Sequence, residues 1–185
     1  RFVRNNYNEM TVRMKETAEP GRIIDLTVRV FDDGFGFRYS FPDQEALKEF
    51  AIAEELTEFR FSKDYMSWWL DQSVPYYEDY GHNTPISQID TAHTPFTIEA
   101  GEGRYFAIHE ANLTDYAKMN LVNTEDYCLR AWLTPWSDGT KVYASTPFQT
   151  PWRTMIIADD INELAMSRIM LNLNEPNRIE DTSWI

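Results

Sequence analysis

The stretch IIDLTVRVFDDGFGFRYSF, residues 23–41, decides the fold class of this chain. In its first half, apolar and polar side chains alternate from Ile24 to Val30. In its second half, aromatic side chains alternate with small or charged ones from Phe35 to Phe41. Period-two alternation is typical of a strand with one buried face, and a turn containing Gly34 between two such strands indicates a hairpin. The stretch therefore predicts two antiparallel strands.

The rest of the chain repeats this strand signal in short runs. We predict further strands at residues 56–61, 96–99, 104–109, 127–133, 141–148 and 153–158. Gly, Pro and Asp turns lie between these runs, and many short strands with such turns predict an all-β sandwich or barrel. Two short helices are also predicted, at residues 44–50 and 161–166, and Asp159-Asp160 would cap the second.

Residues 62–97 show no periodicity and are predicted to form a long irregular loop. The loop contains Trp68, Trp69, Tyr76, Tyr77 and Tyr80, together with three prolines. Long loops inside compact domains are often functional. Its aromatic rings could stack on sugars, or they could simply cover a sheet face.

The composition limits the possible partners. The chain has 185 residues, a formal charge of −13 and 43% hydrophobic residues, which is enough for a folded core. Negative charge argues against a nucleic acid or an anionic membrane as partner and is compatible with a neutral ligand or a metal cation. No apolar run is long enough to predict a membrane helix. The single cysteine, Cys128, excludes an internal disulfide and a zinc site built from cysteines.

Acidic residues are candidates for a catalytic role. A paired-carboxylate glycosidase site could use the following acids: Glu54, Glu55, Glu58, Glu110, Asp115, Asp159 and Asp160. The alternative is that they are solvated surface charges and helix caps, which is the usual state of Asp and Glu.

Glu110 differs from the other acids because it follows an apolar strand, residues 105–108, and precedes Ala111. Burying a lone carboxylate is unfavourable, and a cation or a hydrogen-bond donor would offset that cost. Calcium prefers oxygen ligands but needs about six to eight of them. Glu110 could instead cap a turn or pair with a cation such as Arg153. The segment HEANL lacks the second histidine of a zincin helix, and His82, His93 and His109 match no local metal motif.

Six stretches, in order, resemble the N-terminal region of glycoside hydrolase family 97. They are NNYNEM at residues 5–10, RVFDDGFGFRY at 29–39, ELTEFRF at 55–61, HEANLTDY at 109–116, TPWRTMIIAD at 150–159 and LNLNEPNRIEDTSWI at 171–185. Two positions depart from the family pattern, Gly36 and the turn at residues 117–119. Together the stretches span almost the whole chain.

The resemblance implies an exo-acting α-glycosidase, either an α-glucosidase or an α-galactosidase. It implies that residues 1–185 form an antiparallel β-super-sandwich domain, similar to galactose mutarotase and incomplete at its N-terminus. A catalytic (β/α)₈ barrel is expected to follow residue 185 and to carry the catalytic carboxylates, so that this chain alone is inactive. The resemblance also implies a calcium ion shared with the barrel, and it assigns Glu110 as the one metal ligand from this chain.

The same resemblance implies an α-glycoside or oligosaccharide substrate and a periplasmic or secreted location. A stand-alone carbohydrate-binding module that uses the aromatic loop is the alternative from a different class. A mutarotase-like enzyme ranks last, because no catalytic His and Glu pair can be identified for it.

Overall fold

The computed structural model of the chain describes residues 3–73, 78–181 and 183–184. Its regular structure is almost entirely antiparallel strand, so the predicted all-β fold class is confirmed. The strands are β1 Asn8–Lys15, β2 Ile23–Phe31, β3 Gly34–Phe41, β4 Glu49–Ile52, β5 Glu58–Arg60, β6 Met66–Trp69, β7 His82–Pro85, β8 Thr91–His93, β9 Phe96–Gly101, β10 Arg104–Ala111, β11 Met119–Glu125, β12 Cys128–Leu133, β13 Val142–Ser145, β14 Phe148–Gln149 and β15 Trp152–Ala158. The helices are α1 Ile161–Met166 and α2 Ile169–Leu173, and a 3₁₀ turn occupies Ile86–Gln88. The described part of the chain contains no helix that is long and apolar enough to cross a membrane.

The strands form a larger sheet, a smaller sheet and one two-stranded ribbon. The larger sheet has the order β1-β2-β3-β15-β10-β9-β6-β7, and β14 also pairs with β3. The smaller sheet has the order β5-β12-β11-β8, and β13 pairs with β4. All the described strand pairings are antiparallel, as expected for a sandwich.

The hairpin between β2 and β3 is confirmed, and it depends on Gly34. Gly34 lies opposite Phe31 and has a φ of +140°. A Cβ atom added to it would lie 2.1 Å from the carbonyl oxygen of Met155 on β15. A side chain therefore cannot fit here, and glycine lets β3 lie close against β15.

The main core lies between the two sheets. Phe96 and Ile98 of β9 and Ile108 of β10 meet Leu121 of β11 and Leu129 of β12, and all five are 0% exposed. Fully burying such a side chain stabilises the fold by about 1.5–3 kcal/mol. The packing also fixes the register of β10, because a one-residue slip would turn Ile108 away from the core.

The opposite face of β10 and β15 is covered by helix α2. Ile169 and Leu173 of α2 pack with Trp152 of β15 and Ala111 of β10 in a second buried cluster. The end of β10 is therefore enclosed on both faces, and this is the environment of Glu110.

The β1 edge of the larger sheet is open. All eight residues of β1 are exposed. They include Met10, Val12 and Met14, which pair with apolar residues of β2. Val30 of β2 is 49% exposed. A groove of about 820 Å³ adjoins this surface. Its apolar walls come from residues that include Met14, Ile24, Tyr39, Phe41 and Phe50.

Two predictions of secondary structure are corrected. The helix predicted for residues 44–50 is wrong, because residues 45–46 turn and residues 49–52 form β4, which pairs with β13. Gln44 instead connects the turn to β2 by two hydrogen bonds. Its side-chain Oε1 accepts from the backbone N–H of Ile23 at 2.8 Å, and its Nε2 donates to the carbonyl oxygen of Ile23 at 2.8 Å.

The irregular loop predicted for residues 62–97 is wrong in part, because it contains β6, β7, the 3₁₀ turn and β8. Tyr76 and Tyr77 lie outside the described residues. Helix α1 is confirmed, and Asp160 is its N-cap. The carboxylate of Asp160 accepts hydrogen bonds from the backbone N–H groups of Asn162 and Glu163.

Candidate metal site and buried ion cluster

Glu110 lies near the end of β10 and points into the sandwich. Alternation along the strand places Glu110 on the same face as Ile108, which belongs to the main core. Glu110 is only 6% exposed. Both carboxylate oxygens accept from the backbone N–H of Met119, at 3.1 and 3.2 Å.

Arg153 of β15 is the cation beside Glu110. The two residues are directly opposite each other in the β10–β15 pairing. Arg153 is 0% exposed, and its Nη1 donates to Oε2 of Glu110 at 2.7 Å. The pairing of Glu110 with Arg153, one of the alternatives drawn from the sequence, is therefore present.

Arg153 also binds a second carboxylate, Glu55, which lies just before β5. Its Nε donates to Oε1 of Glu55 at 2.7 Å, and its Nη2 donates to Oε2 at 2.5 Å. Thr57 and Tyr116 donate their hydroxyls to Glu55 at 3.0 and 3.1 Å. Each oxygen of Glu55 thus accepts two hydrogen bonds. We call Glu55, Glu110, Arg153, Thr57 and Tyr116 the ion cluster.

The two carboxylates of the ion cluster have opposite pKa shifts. Burial acts to raise the pKa of Glu55, but the hydrogen bonds and the charge of Arg153 outweigh it and hold that pKa below its ordinary value. Burial raises the pKa of Glu110, and its weaker contact with Arg153 offsets only part of that effect. Burial and the charge of Glu55 raise the pKa of Tyr116, so its phenol stays protonated and donates.

With both glutamates ionised, the ion cluster has two negative charges and one positive charge, a net charge of −1. Burial acts to lower the pKa of Arg153, but the hydrogen bonds and charge of Glu55 hold it above its ordinary value, so the guanidinium stays protonated. The excess negative charge is buried and lies on the Glu110 side, where fewer hydrogen bonds are made. A further cation there would offset the cost of burial.

The carboxylate of Glu110 keeps one oxygen position at which a cation can bind. Among the described residues, its Oε1 accepts a hydrogen bond from Met119 alone. A carboxylate oxygen is the ligand that calcium prefers. No group of three or more His, Cys, Asp or Glu residues that could hold a metal ion occurs in the described residues. The described residues therefore do not by themselves supply a set of three such ligands that includes Glu110.

The other acids considered from the sequence do not gather around Glu110. Five of them are exposed: Glu54, Glu58, Asp115, Asp159 and Asp160. Glu58 pairs with Arg60, Asp159 pairs with Arg104, and Asp160 caps α1. Only Glu55 joins Glu110, through Arg153. The sequence marked Glu55 as one acid among seven, and it gave no signal for a partner 98 residues away.

The histidines lie in three different environments. His93 is buried, with its Nδ1 2.7 Å from Nζ of Lys118 and 3.1 Å from Oδ1 of Asn120. His109 of β10 points away from Glu110, and burial and the charge of Lys118 lower its pKa. His82 packs on Trp69 at 4.6 Å.

Trp68 and Trp69 lie on β6, next to the edge strand β7 of the larger sheet. Trp69 donates its Nε1 to Thr84 at 3.0 Å. Trp68 is 50% exposed and donates its Nε1 to Glu99. Tyr80 is 89% exposed. Trp68 and Tyr80 are therefore accessible, whereas Trp69 packs within the sheet edge.

Comparison with known proteins identifies the family. Residues 1–176 match the family model described as "Glycosyl-hydrolase 97 N-terminal". The chain belongs to glycoside hydrolase family 97. This confirms the resemblance seen in the sequence and makes the chain the N-terminal region of a family 97 protein.

Solved structures and a curated relative agree with this family. A family 97 enzyme variant from Pseudoalteromonas sp. strain K8 superposes with a TM-score of 0.92 at 38% identity, over 98% of this chain and 28% of that chain. The same enzyme in complex with acarbose gives 0.90 at 39% identity, over 96% of this chain and 27% of that chain. A retaining α-galactosidase of Bacteroides thetaiotaomicron is 22% identical, over 99% of this chain and 31% of its own length. The chain thus spans less than a third of the length of these proteins.

Proposed function

We propose that this chain is the N-terminal domain of a calcium-dependent, exo-acting α-glycosidase, with α-glucoside or α-galactoside substrates. In this proposal a (β/α)₈ barrel follows residue 185 and holds the catalytic carboxylates. The N-terminal domain shapes the active-site entrance and donates Glu110 to a calcium site shared with the barrel. A periplasmic or secreted location is part of the same proposal.

The family match supports the enzyme class, together with a relative named as a retaining α-galactosidase and a similar structure in complex with acarbose. The observation that carries the metal assignment is the buried, incompletely balanced carboxylate of Glu110. Calcium bound there would supply a fixed positive charge beside the barrel carboxylates. Within this chain, Arg153 and the N–H of Met119 hold Glu110 in place.

The enzyme class is tested by assaying the full-length protein on p-nitrophenyl α-glucoside and α-galactoside. We expect hydrolysis of at least one of them, and none by the 185-residue chain alone. An inactive full-length protein would contradict the enzyme class. Turnover by the 185-residue chain that disappears on mutating one of its own carboxylates would contradict the placement of the catalytic groups on the barrel.

The metal assignment is tested by Glu110→Gln in the full-length protein. An amide keeps the shape of the side chain but removes its charge, so we expect weaker calcium binding in calorimetry and lower activity, with the sandwich still folded by circular dichroism. Glu54→Gln, at an exposed neighbouring site, is the control and should behave as wild type. Unchanged calcium affinity and unchanged kcat in Glu110→Gln would leave only the pairing with Arg153.

A stand-alone carbohydrate-binding module is the second candidate, because Trp68 and Tyr80 are accessible for stacking on a sugar. The two candidates are distinguished by the coding sequence after residue 185. An open reading frame that continues for several hundred residues with alternating strand and helix patterns supports the proposal of a glycosidase. A stop codon soon after residue 185 supports the binding module.

A further inference from the structure

Glu55 is buried in the ion cluster but is unsuited to be a metal ligand. Its two oxygens accept four hydrogen bonds, two from Arg153, one from Thr57 and one from Tyr116. A carboxylate offers about four lone-pair positions. Glu55 therefore has no position left for a cation, in contrast to Glu110.

Glu55 controls the charge that Arg153 presents to Glu110. The Nε and Nη2 atoms of Arg153 form a bidentate pair with Glu55, and only Nη1 reaches Glu110. The bidentate contact neutralises most of the guanidinium charge and fixes its plane, so that Nη1 points at Oε2 of Glu110. If Glu55 were neutral, Arg153 and Glu110 would balance each other and the ion cluster would have no net charge.

We propose that Glu55 is a positioning residue that sets the calcium affinity of Glu110 by neutralising Arg153. This inference rests on the proposed function, because it requires Glu110 to bind calcium. Glu55 makes no contact with the metal. It keeps the net charge of the ion cluster at −1 and holds Arg153 in the orientation that places Glu110. Outer-shell partners of metal ligands act in this way in other metal sites, and their loss typically costs 10–100-fold in metal affinity.

A purely structural role for Glu55 is the competing explanation. Glu55 links the segment before β5 to β15, and that link alone could account for its burial. In that case Glu55→Gln would lower the thermal stability of the protein but would leave calcium affinity unchanged in the molecules that stay folded. The two explanations therefore differ in calcium affinity rather than in stability.

The experiment is a calorimetric titration of the metal-free full-length protein with calcium chloride, at a temperature where each variant is folded by circular dichroism. We expect Glu55→Gln to raise the Kd for calcium roughly 10–100-fold. Glu54→Gln carries the same chemical change at an exposed position and should leave the Kd unchanged. An unchanged Kd in Glu55→Gln would overturn the proposal.

A double variant separates charge from structure. Glu55→Gln/Arg153→Met removes one negative and one positive charge, so the ion cluster returns to a net charge of −1 on Glu110. We expect it to bind calcium about tenfold more tightly than Glu55→Gln, reversing part of that loss. Binding no tighter than that of the single variant would overturn the proposal. If Glu55→Gln does not fold, the double variant is compared with wild type, and a Kd more than tenfold above that of wild type overturns the proposal, because the net charge of the ion cluster is the same in both.

Glu110→Gln keeps the two proposals apart. If Glu110→Gln binds calcium as well as wild type, the metal assignment of Glu110 fails and the role of Glu55 fails with it. If Glu110→Gln weakens binding and Glu55→Gln does not, only the role of Glu55 fails.

Discussion

The centre and the β1 edge of the larger sheet both contain alternating strands but have different surroundings. In the centre, β10 and β15 are covered by the smaller sheet on the inner face and by α2 on the outer face. At the edge, every residue of β1 is exposed, although Met10, Val12 and Met14 alternate regularly with polar residues. We call the first the covered centre and the second the open edge.

The difference teaches what alternation can and cannot establish. Alternation in β1 and β2 shows which face is apolar, because successive side chains point to opposite sides. It does not show what covers that face, since this depends on other segments. The covered centre also contains the ion cluster, whose buried charged groups are held by hydrogen bonds to one another and to the backbone.

The largest expected effect is at Arg153 in the covered centre. Arg153→Ala leaves Glu55 and Glu110 buried close together without their cation, so we expect the free energy of unfolding to fall by about 3–5 kcal/mol. The measurement is urea denaturation at pH 7 in calcium-free buffer. Arg130→Ala, on the partly exposed side of β12, is the control and should change stability by less than about 0.5 kcal/mol. A loss below about 1 kcal/mol in Arg153→Ala would mean that the glutamates are protonated or hydrated without it.

The second effect is a cavity in the covered core. Ile108 is 0% exposed between the sheets, so Ile108→Ala should lower the free energy of unfolding by about 2–5 kcal/mol. Denaturation in urea with an unchanged slope would show that stability changed and the cooperative unit did not. A cost below about 1 kcal/mol would contradict the tight packing assigned to the covered centre.

Much of this fold could be predicted from the sequence, because apolar and polar residues alternate clearly along the long strands. The alternation in residues 24–30 and 35–41 predicted β2 and β3 to within a residue or two. Strand β1 has the same alternation, at Met10, Val12 and Met14, although no strand is predicted for it above. Strands β6, β7 and β8 have three or four residues each and show no period, so packing rather than pattern determines them.

The site was only partly predictable. The position of Glu110 after an apolar strand indicated a buried carboxylate, and Arg153 was recognised as a possible partner. The contribution of Glu55 could not be predicted, because it depends on the smaller sheet bringing residue 55 against β15. Whether Glu110 binds calcium stays a prediction.

The third effect is a pH dependence within the ion cluster. Because the pKa of Glu55 is held below its ordinary value of about 4.3, the charged form stabilises the fold above that pH, and this contribution is lost as the pH falls through the lowered pKa. The destabilisation caused by Glu55→Gln should therefore be largest near pH 7 and should shrink below about pH 4. Urea midpoints of wild type and variant between pH 3 and 7 measure this. A penalty that stays constant over this range would show that the charge of Glu55 adds nothing.

The smallest effect is expected at the open edge, where it tests whether β1 is exposed. Val12 of β1 is 39% exposed, whereas Val142 of β13, in the two-stranded ribbon, is 3% exposed and serves as a buried reference. Removing two methyl groups from a buried valine costs roughly 1.5 kcal/mol or more, at about 0.8 kcal/mol per group. In the 185-residue chain, Val142→Ala should show this loss and Val12→Ala should stay within about 0.5 kcal/mol. Equal losses would contradict the exposure assigned to β1. The same pair of variants in the full-length protein then reports on the open edge. If Val12→Ala costs as much as Val142→Ala there, a segment outside these 185 residues covers β1, and if it still costs almost nothing, the open edge is a surface of the whole molecule.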